Sequence, residues 1–186
     1  MMRWLYWIAA TGILAVVVHL GVVIFVPGVD TGQKMAELEA AGEVNMLHRL
    51  GASGDKLTPL TEPSPDLAYA FCKFDIRDRP LLIEGKIPPT YWSVSVYSET
   101  GDNVYTLNDR QAGVPSIKLM IVREGDTFEP STSGDRPDDA IVVRTPTSTG
   151  LVLFRAFIPD RSQLDVVERH LAASKCASRS IKSAEG

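Results

Sequence analysis

The sequence predicts a mainly β domain, an antiparallel sandwich or jelly-roll-like barrel with a C-terminal helix, preceded by one transmembrane helix and an amphipathic stalk helix. Three observations favour this fold class. The chain opens with a long uncharged apolar run, several short segments after residue 65 alternate apolar and polar side chains, and the last periodic segment has helical spacing. The 186 residues leave room for one domain of ordinary size.

The first element is the apolar run Trp4–Val26, which carries no formal charge. A helix of this length extends roughly 35 Å, enough to cross a hydrocarbon layer of about 30 Å. A cleavable signal peptide is the alternative. Such a peptide has a shorter apolar region and a small-x-small cleavage site, whereas this run ends at Pro27-Gly28. We therefore expect residues 1–28 to form a cytoplasmic tail and a transmembrane anchor.

The flanks and one face of this helix carry further information. Arg3 and the amino terminus lie on one flank and acidic residues on the other, which predicts a cytoplasmic N-terminus and a translocated domain. Within the helix, Thr11, Ala15 and His19 recur every four residues, with Gly12 beside them. This face either contacts another membrane helix through small and polar side chains, or simply carries a histidine that reaches towards the interface.

The second element is a predicted stalk helix. Pro27-Gly28 should end the first helix, and Asp30 or Thr31 offers an N-cap to a new one that runs to about Leu50. Residues 51–65 are rich in Gly, Ser, Thr and Pro, which is typical of a linker. Residues 29–65 are therefore predicted to be stalk and linker.

The β domain is predicted for residues 66–176. In YWSVSVY, Trp92, Val94 and Val96 fall on one face, and a Gly-Asp turn separates this strand from NVYTL. Turn residues also punctuate the other segments, which favours antiparallel pairing over a parallel sheet with crossover helices. The further predicted strands are Leu67–Ile76, Pro80–Ile83, Ile117–Arg123, Ala140–Thr145 and Leu151–Ile158.

The last regular element is a short amphipathic helix on the edge of the sheet. Asp160-Arg161-Ser162-Gln163 has the form of an N-terminal capping box, and Leu164, Val167 and Leu171 follow at helical spacing. Residues 177–186 are small and polar, and we expect them to be a disordered tail.

The two cysteines, Cys72 and Cys176, are 104 positions apart and form no CxxC motif. If the domain is exported, a disulfide between them would join the first long strand to the end of the last helix. This structural disulfide is favoured over two free thiols, and a nucleophilic cysteine is the least favoured reading.

The sequence contains few motifs that indicate a catalytic or binding activity. A formal charge of 19 − 23 = −4 argues against nucleic-acid binding, and no phosphate-binding, dinucleotide-binding, nucleophile-elbow or zinc-protease motif is present. Three widely spaced histidines predict no metal site, and no cofactor is predicted. Arg155 is the unusual residue, because its neighbours in LVLFRAF are apolar. It must be ion-paired, reach an edge of the sheet or line a cavity.

The order of these segments resembles the bacterial domain of unknown function 1254 family. The resemblance covers the stretch from PDLAYAFCKFDIRDRP to YWSVSVY and, after a loop, IVVRTPTSTGLVLFRAF and the final helix. It implies a bacterial source and a jelly-roll-like domain without an established activity. With the orientation predicted from the flanks of the apolar run, we therefore expect an inner-membrane protein whose domain lies in the periplasm. The matching positions are Pro65, Asp66, Tyr69, Asp75, Pro80, Tyr91, Trp92, Pro146, Thr147 and Arg155.

The resemblance implies that longer members carry a companion domain, the domain of unknown function 1214, in the same chain, and we expect this chain to lack it. The first functional hypothesis is therefore a non-enzymatic subunit whose exported domain binds an envelope protein, with a companion-domain chain as the leading partner. The alternative is an enzyme or a module that binds a small molecule or envelope glycan, with a cavity lined by Asp66, Tyr69, Tyr91, Asp109 and Arg155. A purely structural envelope protein is the third hypothesis.

Overall fold

The computed structural model describes residues 2–40, 42–50, 64–113, 116–126 and 139–179. Within these ranges the chain forms one long helix, nine strands and two shorter helices. The bounds are α1 (Met2–Ala40), β1 (Leu47–Leu50), β2 (Leu67–Asp75), β3 (Leu81–Lys86), β4 (Trp92–Ser98), β5 (Asn103–Asn108), α2 (Asp109–Ala112), β6 (Ser116–Arg123), β7 (Ile141–Thr145), β8 (Thr149–Phe157), a 3₁₀ turn (Arg161–Gln163), α3 (Leu164–Ala173) and β9 (Lys175–Ser178).

Helix α1 begins with the expected apolar segment. Its stretch Met2–Phe25 is long and apolar enough to cross a membrane, a criterion that a signal sequence also meets. The predicted break at Pro27-Gly28 is wrong, because the helix continues to Ala40. An interior proline costs about 3 kcal/mol through one lost hydrogen bond and a clash with the carbonyl four residues earlier, so it can kink a helix without ending it when strong helix formers such as those of KMAELEA follow.

The predicted stalk helix is also wrong in its second half, since Leu47–Leu50 is a strand. This strand pairs with β2, with Leu50 opposite Tyr69. Asn45 fixes the turn before it: its backbone has φ 59°, its Nδ2 donates to the carbonyl oxygen of Asp75 at 3.0 Å, and its Oδ1 accepts from the Asp75 amide at 2.9 Å. The β domain therefore starts ahead of residue 66, because pairing with a distant strand overrides local helical periodicity. The predicted linker at 51–63 lies outside the described residues.

The strands form two sheets packed face to face. One sheet has the order β1-β2-β8-β4-β5, and the other has the order β7-β6-β3-β9. Pairing within the described strands is antiparallel apart from β6 and β7, which are parallel. The prediction of antiparallel pairing throughout the domain is therefore wrong for β6 and β7. The long segment 124–140 explains it, since parallel neighbours need a long connection that returns the chain to the same end. A two-sheet sandwich is the fold, and the finer jelly-roll connectivity stays a prediction.

The core lies between the two sheets and also contains one face of α3. Phe74 and Phe154 of the first sheet and Ile121 of the second belong to one buried cluster with Val167 and Leu171 of α3. The helix contacts β2, β3 and β8, so it touches both sheets rather than a single edge. Of the predicted capping box, the Asp160 cap is confirmed, but it caps the 3₁₀ turn: Asp160 Oδ1 accepts from the Ser162 amide at 2.8 Å, whereas α3 follows Gln163, which makes no side-chain capping hydrogen bond. This backbone hydrogen bond lowers the pKa of the Asp160 carboxyl.

The C-terminal segment completes the second sheet. Strand β9 pairs with β3, so the prediction of a disordered tail from residue 177 is wrong at 177 and 178. Cys176 of β9 forms a disulfide with Cys72 of β2, with 6.5 Å between their Cα atoms. The bond joins the two sheets across the core.

Candidate functional site

The five residues proposed to bind a ligand lie towards the same end of the five-stranded sheet. Asp66 immediately precedes β2 and Tyr91 immediately precedes β4, whereas Asp109 immediately follows β5. Tyr69 is the third residue of β2, and Arg155 is the third from last of β8. Because neighbouring strands are antiparallel, the starts of β2 and β4 lie beside the ends of β5 and β8. We call this region the Arg155 end.

A continuous row of side chains crosses the sheet at the Arg155 end. Tyr69 lies opposite Arg155, Arg155 lies opposite Ser93, and Ser93 lies opposite Asn108. Their chain neighbours, such as Ala156, belong to the core cluster. Since successive side chains of a strand point to opposite faces, the row lies on the face of the sheet that points away from the core.

Arg155 lies in a polar part of this face. Its Nη2 donates to Ser95 Oγ at 3.2 Å, and Thr106 Oγ1 donates to the same oxygen at 3.1 Å. Asn103 Nδ2 in turn donates to Thr106 Oγ1 at 2.9 Å. Within the part of the chain that the structure describes, no carboxylate forms an ion pair with Arg155. The guanidinium therefore has hydroxyl neighbours and no opposite charge.

Three buried polar side-chain atoms of the described residues have no hydrogen-bond partner: Thr90 Oγ1, Asp109 Oδ1 and Arg155 Nε. All three lie at the Arg155 end. Thr90 lies three residues before Ser93 in the chain. Ser93 pairs with Arg155 on one side and with Asn108 on the other, and Asp109 follows Asn108. An unsatisfied buried polar group costs about 1–3 kcal/mol, so native proteins retain few of them. Because all three residues belong to the same end of the five-stranded sheet, we take this end as the candidate site.

Tyr69 and Asp66 each have a contact within the fold. Tyr69 is buried in an apolar cluster with Leu50, Phe71 and Leu151, and its hydroxyl oxygen accepts from the Ser64 amide at 3.2 Å. Asp66 is exposed, and its backbone oxygen accepts from the Ile158 amide at 2.8 Å. Tyr69 is thus a packing residue, and Asp66 lies at the margin of the site.

Tyr91 has an exposed aromatic neighbour. The Tyr91 backbone oxygen accepts from the Phe157 amide at 2.8 Å, and these side chains are 48% and 39% exposed. Two large exposed aromatic residues therefore lie beside each other at the Arg155 end, Tyr91 just before β4 and Phe157 on β8. The same end of the sheet combines an apolar surface with a half-buried cation.

Sequence reasoning missed the hydroxyl residues of the site. Ser93 and Ser95 are both buried although they alternate with the core residues of β4, and this alternation was their only signal. Thr90 gave no signal, because its role depends on where the loop before β4 lies.

The other predicted contact residues and the metal prediction concern different parts of the molecule. On α1, Thr11, Gly12, Ala15 and His19 are exposed, and a helix–helix contact through them stays a prediction. Across the described ranges, no cluster of three or more His, Cys, Asp or Glu residues could hold a metal ion. At the opposite end of β2, Arg77 forms an ion pair with Asp75 and lowers the pKa of that carboxyl.

Comparisons with known proteins identify a family and a solved structure with a similar fold. A family model described as "Protein of unknown function (DUF1254)" matches residues 42–178. The crystal structure of the VPA0106 protein from Vibrio parahaemolyticus is similar, with a TM-score of 0.58, 11% identity, and coverage of 81% of this chain but 38% of that protein. An uncharacterised protein from Burkholderia cenocepacia gives a TM-score of 0.47, 14% identity, and coverage of 74% and 35%. No curated protein matches the chain.

Proposed function

This chain belongs to the DUF1254 family of proteins of unknown function, and from that premise we propose that it is a single-pass membrane protein whose exported β domain binds a partner protein of the bacterial envelope. The observation that carries the proposal is the exposed pair Tyr91 and Phe157 at the Arg155 end. Tyrosine and arginine are enriched among residues that dominate binding energy in protein interfaces. Following the family resemblance, the first candidate partner is a companion-domain chain.

Export and anchoring are part of this proposal. We place α1 in the inner membrane with its N-terminus in the cytoplasm, because Arg3 precedes the apolar stretch and acidic residues follow it. A disulfide between Cys72 and Cys176 supports a periplasmic domain, since such bonds persist in oxidising compartments.

The topology is testable with two single-cysteine additions. We expect Ser162→Cys, an exposed position before α3, to react with an impermeant maleimide in intact spheroplasts. Met2→Cys should react only after the membrane is permeabilised. The native cysteines do not interfere, because they are bonded to each other. If only Met2→Cys is labelled in intact spheroplasts, the orientation is the opposite of the one proposed. A mature protein shortened by the apolar segment would show that α1 is a signal peptide.

Partner binding is testable by photo-crosslinking in living cells. With a benzoyl-phenylalanine in place of Tyr91, we expect one discrete adduct of higher mass. The matched control is the same residue in place of Ile141, which is 38% exposed on β7 of the other sheet. The proposal fails if position 91 gives no adduct, or if both positions give the same mixture. Mass spectrometry of the adduct then identifies whether the partner carries the companion domain.

A second candidate function is a module for small molecules or envelope glycans. The three unpartnered buried polar atoms at the Arg155 end favour it, because a protein–protein contact at Tyr91 and Phe157 does not by itself require them.

A further inference from the structure

We propose that the outer edge of β5 pairs with β5 of a second copy of this chain, so that two domains share one continuous sheet. Strand β5 is the last in the order β1-β2-β8-β4-β5, and among the described strands it pairs only with β4. The backbone amide and carbonyl groups on its other side can therefore pair with a further strand. This surface is distinct from the pair Tyr91 and Phe157, and its pairing does not require an envelope partner.

Strand β5 differs in composition from the other edge strands of the two sheets. Its sequence, NVYTLN, has six residues and contains neither a charged residue nor a proline. Charged residues on an edge strand keep other strands from pairing with it. Each of the other three described edge strands has one: Arg49 on β1, Arg144 on β7 and Lys175 on β9. Of the four described edges, β5 is therefore the one best suited to pair with another strand.

The side chains of β5 define a register for pairing between two copies. Tyr105 and Leu107 pack on the core cluster, so the exposed Thr106 between them points to the outer face. Antiparallel copies of one strand are related by a two-fold axis perpendicular to the sheet, which keeps the same face of both copies on one side. With the axis at Thr106, this residue lies opposite its own copy, and Tyr105 lies opposite Leu107 of the second copy. Threonine pairs and apolar pairs stabilise neighbouring strands.

The same register brings opposite charges together beyond both ends of the strand. Asp102 lies in the turn before β5, and Arg110 lies in α2 just after it. Because each is four residues from Thr106, Asp102 of one copy comes close to Arg110 of the other. Both residues are exposed, and neither forms an ion pair within the described ranges. The two-fold axis repeats this contact, whereas an axis at Tyr105 or Leu107 would separate the charges.

Disulfide crosslinking of the full chain in liposomes tests the pairing at the axis. Residues directly opposite each other on antiparallel strands have Cα atoms about 5 Å apart, which is within the range for a disulfide. We therefore expect Thr106→Cys to form covalent dimers under mild oxidation. The native cysteines do not compete, because they are bonded to each other.

The matched control for crosslinking is Ile141→Cys, since Ile141 is exposed on another edge strand, β7. We expect it to give about tenfold less dimer, because no second cysteine would lie within bonding distance. If Thr106→Cys gives no dimer, or if both positions give equal amounts, the proposal is wrong.

Charge reversal tests the register and the identity of the second strand. Asp102→Arg brings like charges together twice in the dimer, and so does Arg110→Asp. We expect each reversal to reduce the crosslinking of Thr106→Cys about tenfold. Both reversals in one chain, or a mixture of the two single variants, restore opposite charges at both contacts, and crosslinking should recover to within about twofold of its starting level.

This recovery is specific to pairing of β5 with itself, because a strand of a different protein would keep its own charges. The mixture also controls for folding, since two chains that fail to fold cannot restore a dimer. If crosslinking recovers in neither the double variant nor the mixture, the proposed pairing is wrong. Crosslinking that is insensitive to these charges would show that the copies associate elsewhere, for example through α1, and would equally overturn it.

Discussion

Replacing both Cys72 and Cys176 with alanine should lower the free energy of unfolding of the β domain by about 4 to 5 kcal/mol. The bond closes a loop of 104 residues. In the chain-entropy model, a cross-link over a loop of this length lowers the conformational entropy of the unfolded chain and thereby stabilises the folded domain by that amount. The bond also holds the two sheets together, since Cys72 belongs to β2 and Cys176 to the short edge strand β9. Denaturant unfolding of the full chain in nanodiscs measures the loss.

The reductant provides the control for this experiment. The wild-type chain should lose a comparable amount of stability when it is reduced, whereas the double variant should be insensitive to reductant. If reduction leaves the unfolding midpoint of the wild type unchanged, the bond does not contribute as proposed.

Gly150→Ala should destabilise the domain by about 3 kcal/mol, at the upper end of the range for overpacked cores. Gly150 lies in β8 between Phe74 of β2 and Ser98 of β4. A Cβ atom there would clash with the backbone carbonyl oxygen of Tyr97 and lie 2.5 Å from Cζ of Phe74. The backbone oxygen cannot move without breaking the pairing of β4 with β8, so the strain must be distributed over the sheet.

Gly85→Ala is the matched comparison, because the atom nearest to its added Cβ belongs to a side chain. That atom is Ile117 Cγ1, at 2.7 Å. A side chain changes rotamer at lower cost than a paired backbone moves, so Gly85→Ala should cost less than Gly150→Ala. Equal losses in parallel unfolding curves, or no loss for Gly150→Ala, would contradict this explanation.

The sequence predicted the strands that have strong local signals. The segments at Leu67–Ile76 and Ile117–Arg123 match β2 and β6 within one residue at each end, and Leu151–Ile158 matches β8 within two, because alternation and turn residues are local properties. Strands β1 and β9 were missed. Each has four residues, and each exists because a distant strand offers an edge to pair with. The parallel arrangement of β6 and β7 was missed for the same reason, since pairing direction depends on the path of the chain.

The candidate site was predictable to a similar degree. Arg155 and Asp109 were identified because charged residues beside apolar strands need an explanation. The sequence does not show that both have a buried atom without a partner, or that Thr90 joins them. Tyr69 was selected with equal reason, yet its hydroxyl is used by the Ser64 amide. Which polar atom remains unsatisfied is a property of the assembled sheet.

The position of Cys176 near the end of the described chain has a consequence for biogenesis. If the domain is exported as proposed, its N-terminal part emerges first, and Cys72 reaches the oxidising compartment as an unpaired thiol while Cys176 is still 104 residues behind it. Strand β9 is the last of the described strands to cross, so the second sheet cannot be completed and the thiol cannot find its partner until Cys176 has crossed as well. Any earlier oxidation of Cys72 is with a foreign thiol and must be reversed by exchange. Maturation of this protein should therefore depend on the thiol–disulfide enzymes of its compartment, with the half-translocated chain as their substrate.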